Sequence, residues 1–287
     1  MPLFQKARFK SPFLMQGKLK DFACFFYMTE GSMHSFDARG SHSIGCKEAL
    51  LKQCGNYVQR YISDNDSKEC EAIAVYLYPE LLKEIYRNEV PYFLKEAHND
   101  VQPKKLIHNK LIEQYMANLS HYFEAPETLD EELGILKLRE LMRILLKSEQ
   151  HQDIRLLLSE IFAPVNVKFK ETIQHNLFND LSLDQLAFIC NMSLSTFKRE
   201  FKKTFGTSPA RYIKDQRLQH AATLLSCNNS PIASVAYDSG FQDVTTFSAI
   251  FKEKFGQSPS TFRLAQKGIQ FIDSAIPLIT FAFKHYI

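Results

Sequence analysis

The sequence predicts an α+β protein: an N-terminal β-barrel or sandwich, a helical middle segment, and an all-α C-terminal part with two helix-turn-helix motifs. Three observations predict it. One pattern occurs twice, fifty residues apart, as FKREFKKTFGTSP from Phe197 to Pro209 and as FSAIFKEKFGQSP from Phe247 to Pro259. Short apolar or alternating runs separated by turn residues occupy the region from about residue 20 to 78. Amphipathic helical patterns then take over. The duplication settles architecture first, because two copies of one supersecondary unit invite two contacts with a periodic ligand.

The strand region reads FACFFYMT (Phe22 to Thr29), SMHSF (Ser32 to Phe36), SHSI (Ser41 to Ile44), EALLK (Glu48 to Lys52), NYVQRYI (Asn56 to Ile62) and CEAIAVYLY (Cys70 to Tyr78). Glu30-Gly31 and Arg39-Gly40 supply turns. Phe25, Phe26, Tyr27, Val75, Tyr76 and Tyr78 serve either as ordinary core or as the wall of a pocket for a small apolar effector. His34 and His42 lack the HxH-then-Glu spacing of a metal-binding barrel, so no metal is expected. Nucleophile motifs, phosphate loops and paired-carboxylate signatures are absent too, and no cofactor is expected.

Helical periodicity places Leu81, Leu82, Ile85 and Tyr86 on one short helix. A second runs from Lys104 to about Phe123, with Ile107, Leu111, Ile112, Tyr115, Met116, Leu119 and Tyr122 on a wide face, and a third from Asp130 to about Lys147. Leu133, Leu136 and Ile144 add to the third helix more apolar surface than a thin sheet needs. Leu111, Tyr115, Leu119, Leu141, Met142 and Leu145 are therefore expected at a dimer interface; the alternative is that both helices cover the barrel. Phe162 to Asn166 reads as a linker between helices over Asp153 to Ile161 and Val167 to Phe178. The expected organisation is an N-terminal domain with the dimerisation helices over 1–161, the linker over 162–166, a second domain carrying the repeats over 167–268, and an apolar tail over 269–287. Asp273 and Pro277 interrupt that tail, which argues against a membrane span.

Each repeat predicts a helix with marked ends. Phe197, Phe201 and Phe205 fall at i, i+4 and i+8, and Phe247, Phe251 and Phe255 copy them, so this face is core. Gly206 and Gly256 read as left-handed helix ends, and Ser208-Pro209 and Ser258-Pro259 start the next helix. Upstream, Ser182-Leu-Asp-Gln185 is a capping box for a helix to about Cys190, and Asn191-Met192-Ser193 turns the chain. In the second copy Ser230-Pro231 opens the short helix, Ser239-Gly240-Phe241 turns it, and Asp243 caps the long one. Short helix, turn and longer helix make a helix-turn-helix in each copy.

The outward faces separate DNA binding from a purely structural motif. Opposite the first Phe stripe lie Ser195, Thr196, Lys198, Arg199, Lys202 and Lys203, with Glu200 the one acid; an ordinary solvated helix would mix its charges. The stretch from about Val167 to Arg263 resembles the DNA-binding domain of AraC/XylS transcription regulators. The likeness rests on LSLDQLAFICNMSLSTFKREFKKTFGTSPARYI, on IASVAYDSGFQDVTTFSAIFKEKFGQSPSTFR, and on Arg217, Leu218, Ala221, Ala222, Leu224 and Leu225 between them. It implies a seven-helix domain that places two recognition helices in successive major grooves, a cupin-like N-terminal barrel, and dimerisation through the helix pair. The spacer from Pro209 to Leu225 would be about 25 Å long, of the order of the ~34 Å between adjacent grooves on one DNA face.

The expected DNA contacts are Ser193, Ser195, Thr196, Lys198, Arg199, Lys202 and Lys203 in the first copy. In the second they are Asp243, Val244, Thr245, Thr246, Ser248, Ala249 and Lys252. Lys198, Arg199 and Lys203 become Ser248, Ala249 and Glu253, so the first copy is expected to carry most of the affinity, with Arg199 a candidate for guanine. Val244, Thr245 and Ala249 suit a thymine methyl. Charge follows the motifs: 164–287 carries net +5 and 1–163 net −2. That excess is modest, so tight binding is expected to need both motifs or two protomers.

Six cysteines without paired spacing read as buried thiols in a reducing cytoplasm. The chain is thus expected to be a cytoplasmic, homodimeric activator that binds double-stranded promoter DNA, contacts RNA polymerase, and answers to a small apolar ligand or a regulatory protein. The alternative is a regulatory barrel with residual enzymatic activity tethered to DNA.

Overall fold

Among the described residues, nine strands form two antiparallel sheets; one short helix precedes the last strand in the chain and the other helices follow it. The structure is a computed structural model that describes residues 2–19, 22–53, 55–63, 68–85, 104–106, 109–147 and 167–265. The expected helix over 153–161, the linker over 162–166 and the tail over 269–287 lie outside the described residues, as do Cys54, Tyr86 and Ile107.

The strands are β1 (Phe4–Lys10), β2 (Phe13–Leu19), β3 (Ala23–Glu30), β4 (Ser32–Asp37), β5 (Gly40–Ile44), β6 (Ala49–Lys52), β7 (Gly55–Ile62), β8 (Glu69–Leu77) and β9 (Lys104–Leu106). One sheet has the order β1-β8-β3-β6-β9, the other β2-β7-β4-β5. Residues of β3 alternate between two cores. Cys24, Phe26 and Met28 join Met33, Tyr57 and Tyr61 of the other sheet. Phe25 and Tyr27 join Ile73 and Val75 beneath helices α2 (Lys110–Tyr122) and α3 (Glu131–Lys147). A sheet covered on both faces reads as continuous apolar sequence, which is why β3 and β8 show little alternation. A short helix α1 (Pro79–Ile85) follows β8.

Several expectations change. Strands β1 and β2 precede the predicted strand region; their mixed polar sequence fits the edges they form, and Lys6 and Arg8 pair with Glu71 of β8 at 3.1 and 2.6 Å. Lys104–Leu106 is a strand paired with β6, not a helix, and α2 begins after Asn109, whose side chain accepts from the N–H groups of Leu111 and Ile112. Tyr115, Leu119, Leu141, Met142 and Leu145 are buried against the sheet, so the alternative stated for them, cover over the barrel, accounts for their apolarity; Leu111 is exposed. Phe25, Phe26, Tyr27 and Val75 are core rather than pocket wall, and the Tyr76 and Tyr78 rings pack on Phe22. Cys24 and Cys70 are buried as expected, but Cys46 and Cys227 are exposed.

The C-terminal helices are α4 (Phe169–His175), α5 (Leu183–Ile189), α6 (Leu194–Phe205), α7 (Pro209–Cys227), α8 (Ile232–Asp238) and α9 (Val244–Phe255), with residues 259–265 also helical. By their contacts the residues group into two units, 1–176 with 181–199 and 177–180 with 200–287. In the second unit Leu218, Ala221, Ala222 and Leu225 of α7 pack with Val235, Ala236, Phe247 and Phe251.

Candidate nucleic-acid interface

The two helix-turn-helix copies have the same local construction. In the first, Ser182 and Gln185 form the predicted capping box: Ser182 Oγ accepts from Gln185 N–H at 3.2 Å, and Gln185 Oε1 from Ser182 N–H at 2.8 Å. At the turn, Asn191 N–H donates to Phe188 O and Met192 N–H to Ala187 O. In the second copy Gly240 N–H donates to Tyr237 O and Phe241 N–H to Ala236 O, the same loop pattern. The pivot is left-handed in both, at φ +55° for Asn191 and +83° for Gly240, a conformation asparagine and glycine tolerate best. A side chain at position 240 would also be blocked, since a Cβ there would lie 2.7 Å from Phe178 O.

The phenylalanine stripes face inward as the spacing predicts. Phe197, Phe201, Phe247 and Phe251 have no exposed surface. The likeness extends past the terminators: Tyr212 packs on Phe201 and Phe205, and Phe262, fifty positions on, packs on Phe251 and Phe255. Gly206 and Gly256 are left-handed, at +74° and +75°. Helix α8 starts differently from the sequence reading, with Pro231 at the cap and no side-chain cap bond; Ser230 O instead accepts from the Arg263 guanidinium.

Burying the stripe leaves the opposite face in solvent. On α6, Ser195, Lys198, Arg199, Lys202 and Lys203 are exposed, and Thr196 is half-buried. On α9, Thr245, Thr246, Ala249 and Lys252 are exposed, while Val244 and Ser248 are half-buried. Three expected contacts have local structural work. Ser193 Oγ accepts from Thr196 N–H at 3.3 Å and bonds both Ser195 and Thr196 hydroxyls. Asp243 Oδ2 accepts from Thr246 N–H at 2.5 Å, and these bonds hold its carboxyl below the usual range. Ser248 Oγ donates to Val244 O. Ser193 and Asp243 therefore order the first turns of α6 and α9, where backbone N–H groups suit an anion such as phosphate.

Within the first unit, the first turn is gripped from sheet β2-β7-β4-β5. Asn56 Nδ2 donates to Phe188 O at 2.5 Å, Lys18 Nζ to Asn191 Oδ1 at 3.0 Å, and Asn176 Nδ2 to Asp37 O at 2.8 Å. Phe36 and Val58 pack on Ile189. Beside these contacts lies a cavity of about 320 Å³, walled by Ala38, Tyr57, Phe169, Ile189 and Met192 with Lys18, Arg39, Lys52 and Asp37. Cys190 also lines it; burial pushes this thiol up to about 12, so it stays protonated and unreactive. His34 and His42 are engaged within the sheet, His34 with the Ser43 hydroxyl and His42 beside Asp37 at 3.8 Å. Sequence reasoning missed this seam because its partners lie more than 130 positions apart.

A duplicated helix-turn-helix that follows an antiparallel double sheet in the chain defines the class: a regulator of the helix-turn-helix type. The sequence matches the family "Helix-turn-helix domain" over residues 186–265 and the family "ExsA N-terminal regulatory domain" over residues 23–157. Over these two stretches the chain is similar to transcription regulators of the AraC/XylS type. It is 36% identical over 85 residues to a Haemophilus influenzae HTH-type transcriptional regulator, covering 30% of this chain and 28% of the relative. To the XylDLEGF operon transcriptional activator of Pseudomonas putida it is 32% identical over 117 residues, 38% of this chain and 36% of the relative. The matched stretch thus spans about a third of these relatives' lengths. Among solved structures it is similar to Vibrio cholerae ToxT bound to (E)-4-(8-methylnaphthalen-1-yl)but-3-enoic acid, at 14% identity and TM-score 0.40, covering 92% of this chain and 100% of that one. Among the described residues no helix is long and apolar enough to cross a membrane.

Proposed function

We propose that the protein is a sequence-specific, DNA-binding transcription activator that reads two successive major grooves of promoter DNA with α6 and α9. One observation carries this reading: two scaffolds with the same turn bonds and left-handed pivot bury their phenylalanines and leave a polar or cationic face on the longer helix of each. Lys198, Lys202 and Lys203 contact phosphates and set register, and Arg199 reads guanine; Thr245 and Ala249 read the second groove by apolar and hydroxyl contacts. The protein works in the cytoplasm as a homodimer and contacts RNA polymerase.

Control acts through the first unit. A small effector seats in the cavity beside the first turn, its apolar body against Phe169, Ile189 and Met192 and its polar end toward Lys18 and Arg39. It shifts DNA affinity only by binding one arrangement of the seam better than another. A regulatory protein on the same unit would act under the same rule.

The test is a hydroxyl-radical footprint of the full-length protein on DNA selected from a random pool. Two protected patches on one face, about one helical turn apart, support the reading. Protection of a single patch per protomer refutes two-groove recognition, and no protection at any salt concentration refutes DNA binding.

A further inference from the structure

Arg217 projects from the middle of α7, and its guanidinium is spent on three backbone carbonyls. Nε donates to Leu177 O at 2.8 Å, Nη2 to Asn179 O at 2.7 Å and Nη1 to Gly240 O at 2.7 Å. The first two acceptors belong to the strap 177–180, which precedes the first helix-turn-helix in the chain; the third is the pivot of the second. The strap nonetheless groups with the second motif.

Further contacts repeat the tie. Phe178 stacks on His220, one turn along α7 from Arg217, with ring centroids 4.3 Å apart. The Gln242 side-chain amide, just past the pivot, donates to the Asp180 carboxylate. Gly240 is constrained from the same side, since a Cβ there would meet Arg217 Nε at 2.9 Å as well as Phe178 O. The neighbours Leu218, Ala221 and Ala222 are locked in the core under Phe247 and Phe251, so the base of the fork is rigid.

The strap ends two residues before Ser182, the cap of α5. Whatever fixes the strap limits where α5 can start.

We propose that Arg217 is a positioning residue for DNA reading: by joining the strap before α5 to the pivot between α8 and α9, it presets the two motifs for simultaneous engagement. This rests on the two-motif reading above. A planar fork with fixed donor directions can satisfy three carbonyls at once, and a lysine ammonium on a flexible stem cannot keep that geometry. Linking two binding modules raises affinity only when their geometry allows both to bind together. Loosening the link therefore costs bipartite binding and spares each half.

The experiment uses full-length protein and the duplex selected by the wild type, either whole or with one half-site replaced by unrelated sequence. Arg217→Lys is expected to weaken binding to the whole duplex on the order of tenfold or more, with binding to each half-site changed by less than about twofold. Gln242→Ala, an exposed substitution that removes the second tie, is expected to shift binding in the same sense. Equal loss on whole and half duplexes, or no loss on either by either variant, overturns the proposal. Failure of the wild type to bind the whole duplex better than the halves removes the two-motif reading itself, and the proposal with it.

Discussion

Replacing Lys52 with methionine should destabilise the first unit most at neutral pH. Lys52 is 2% exposed; its ammonium lies 3.3 Å from Asp37 Oδ2, donates to Ser35 Oγ at 2.6 Å, and sits 4.7 Å from the Tyr57 ring centroid. Burial pushes the Asp37 carboxyl up, but Lys52, His42 and the Arg39 N–H together outweigh it and hold the group below the ordinary range. Burial also lowers the Lys52 pKa against the pull of Asp37, so each charge depends on the other. Methionine keeps the volume and removes the cation, leaving the Asp37 carboxylate with His42 and the Arg39 N–H but without the buried ammonium that faces it. Breaking a buried pair from one side costs about 3–5 kcal/mol. At about 2–4 °C per kcal/mol for a unit of this size, the melting temperature should fall by roughly 6–20 °C.

The pH dependence has a definite sign. A carboxyl with a depressed folded pKa contributes stability that is complete above its unfolded value, about 3.9, and is lost as pH falls through the folded one. Wild-type protein therefore keeps the contribution at pH 5. In Lys52→Met the carboxyl titrates upward, so the gap from wild type is widest near pH 7 and narrows as Asp37 protonates. Adding Asp37→Asn should recover part of the loss at pH 7. Thermal unfolding followed by circular dichroism at pH 5 and pH 7 reads all three proteins. A single variant melting within about 2 °C of wild type at both values, or a loss that grows on acidification, would refute the argument.

Other expectations are more local. Arg199→Ala should cost about 1–3 kcal/mol of discrimination at one base pair, and Ala249→Lys should raise affinity and steepen its salt dependence, both read in a mobility-shift series. Unchanged binding and base preference in both variants would remove the assigned roles. Leu141→Arg should unfold the first unit rather than give a folded monomer, because Leu141 has no exposed surface; sedimentation with circular dichroism separates the outcomes. Gly240→Ala should destabilise the second unit by about 1–3 kcal/mol, from left-handed backbone and the contact with Phe178 O, seen as a lower denaturation midpoint.

What the sequence determined by itself is the content of local, repeated signals. The stripe of Phe197, Phe201 and Phe205, the box of Ser182 and Gln185, the Asp243 cap and the two terminal glycines each span at most a few helical turns. Their physics is complete within that span, and the structure carries them where the spacing puts them. The exposed polar faces of α6 and α9 were legible for the same reason.

Tertiary structure decided what depends on partners far along the chain. Whether Tyr115, Leu119 and Leu141 meet a sheet or a second protomer cannot be read from helical periodicity, since either surface rewards the same apolar face. The edge strands β1 and β2 look polar in isolation and become strands only when β8 and β7 supply their hydrogen bonds. Arg217 reads as one residue of a helix pattern until carbonyls 40, 38 and 23 positions away converge on it. Periodicity reports which face is buried; only the assembled fold supplies what that face, or that fork of donors, is buried against.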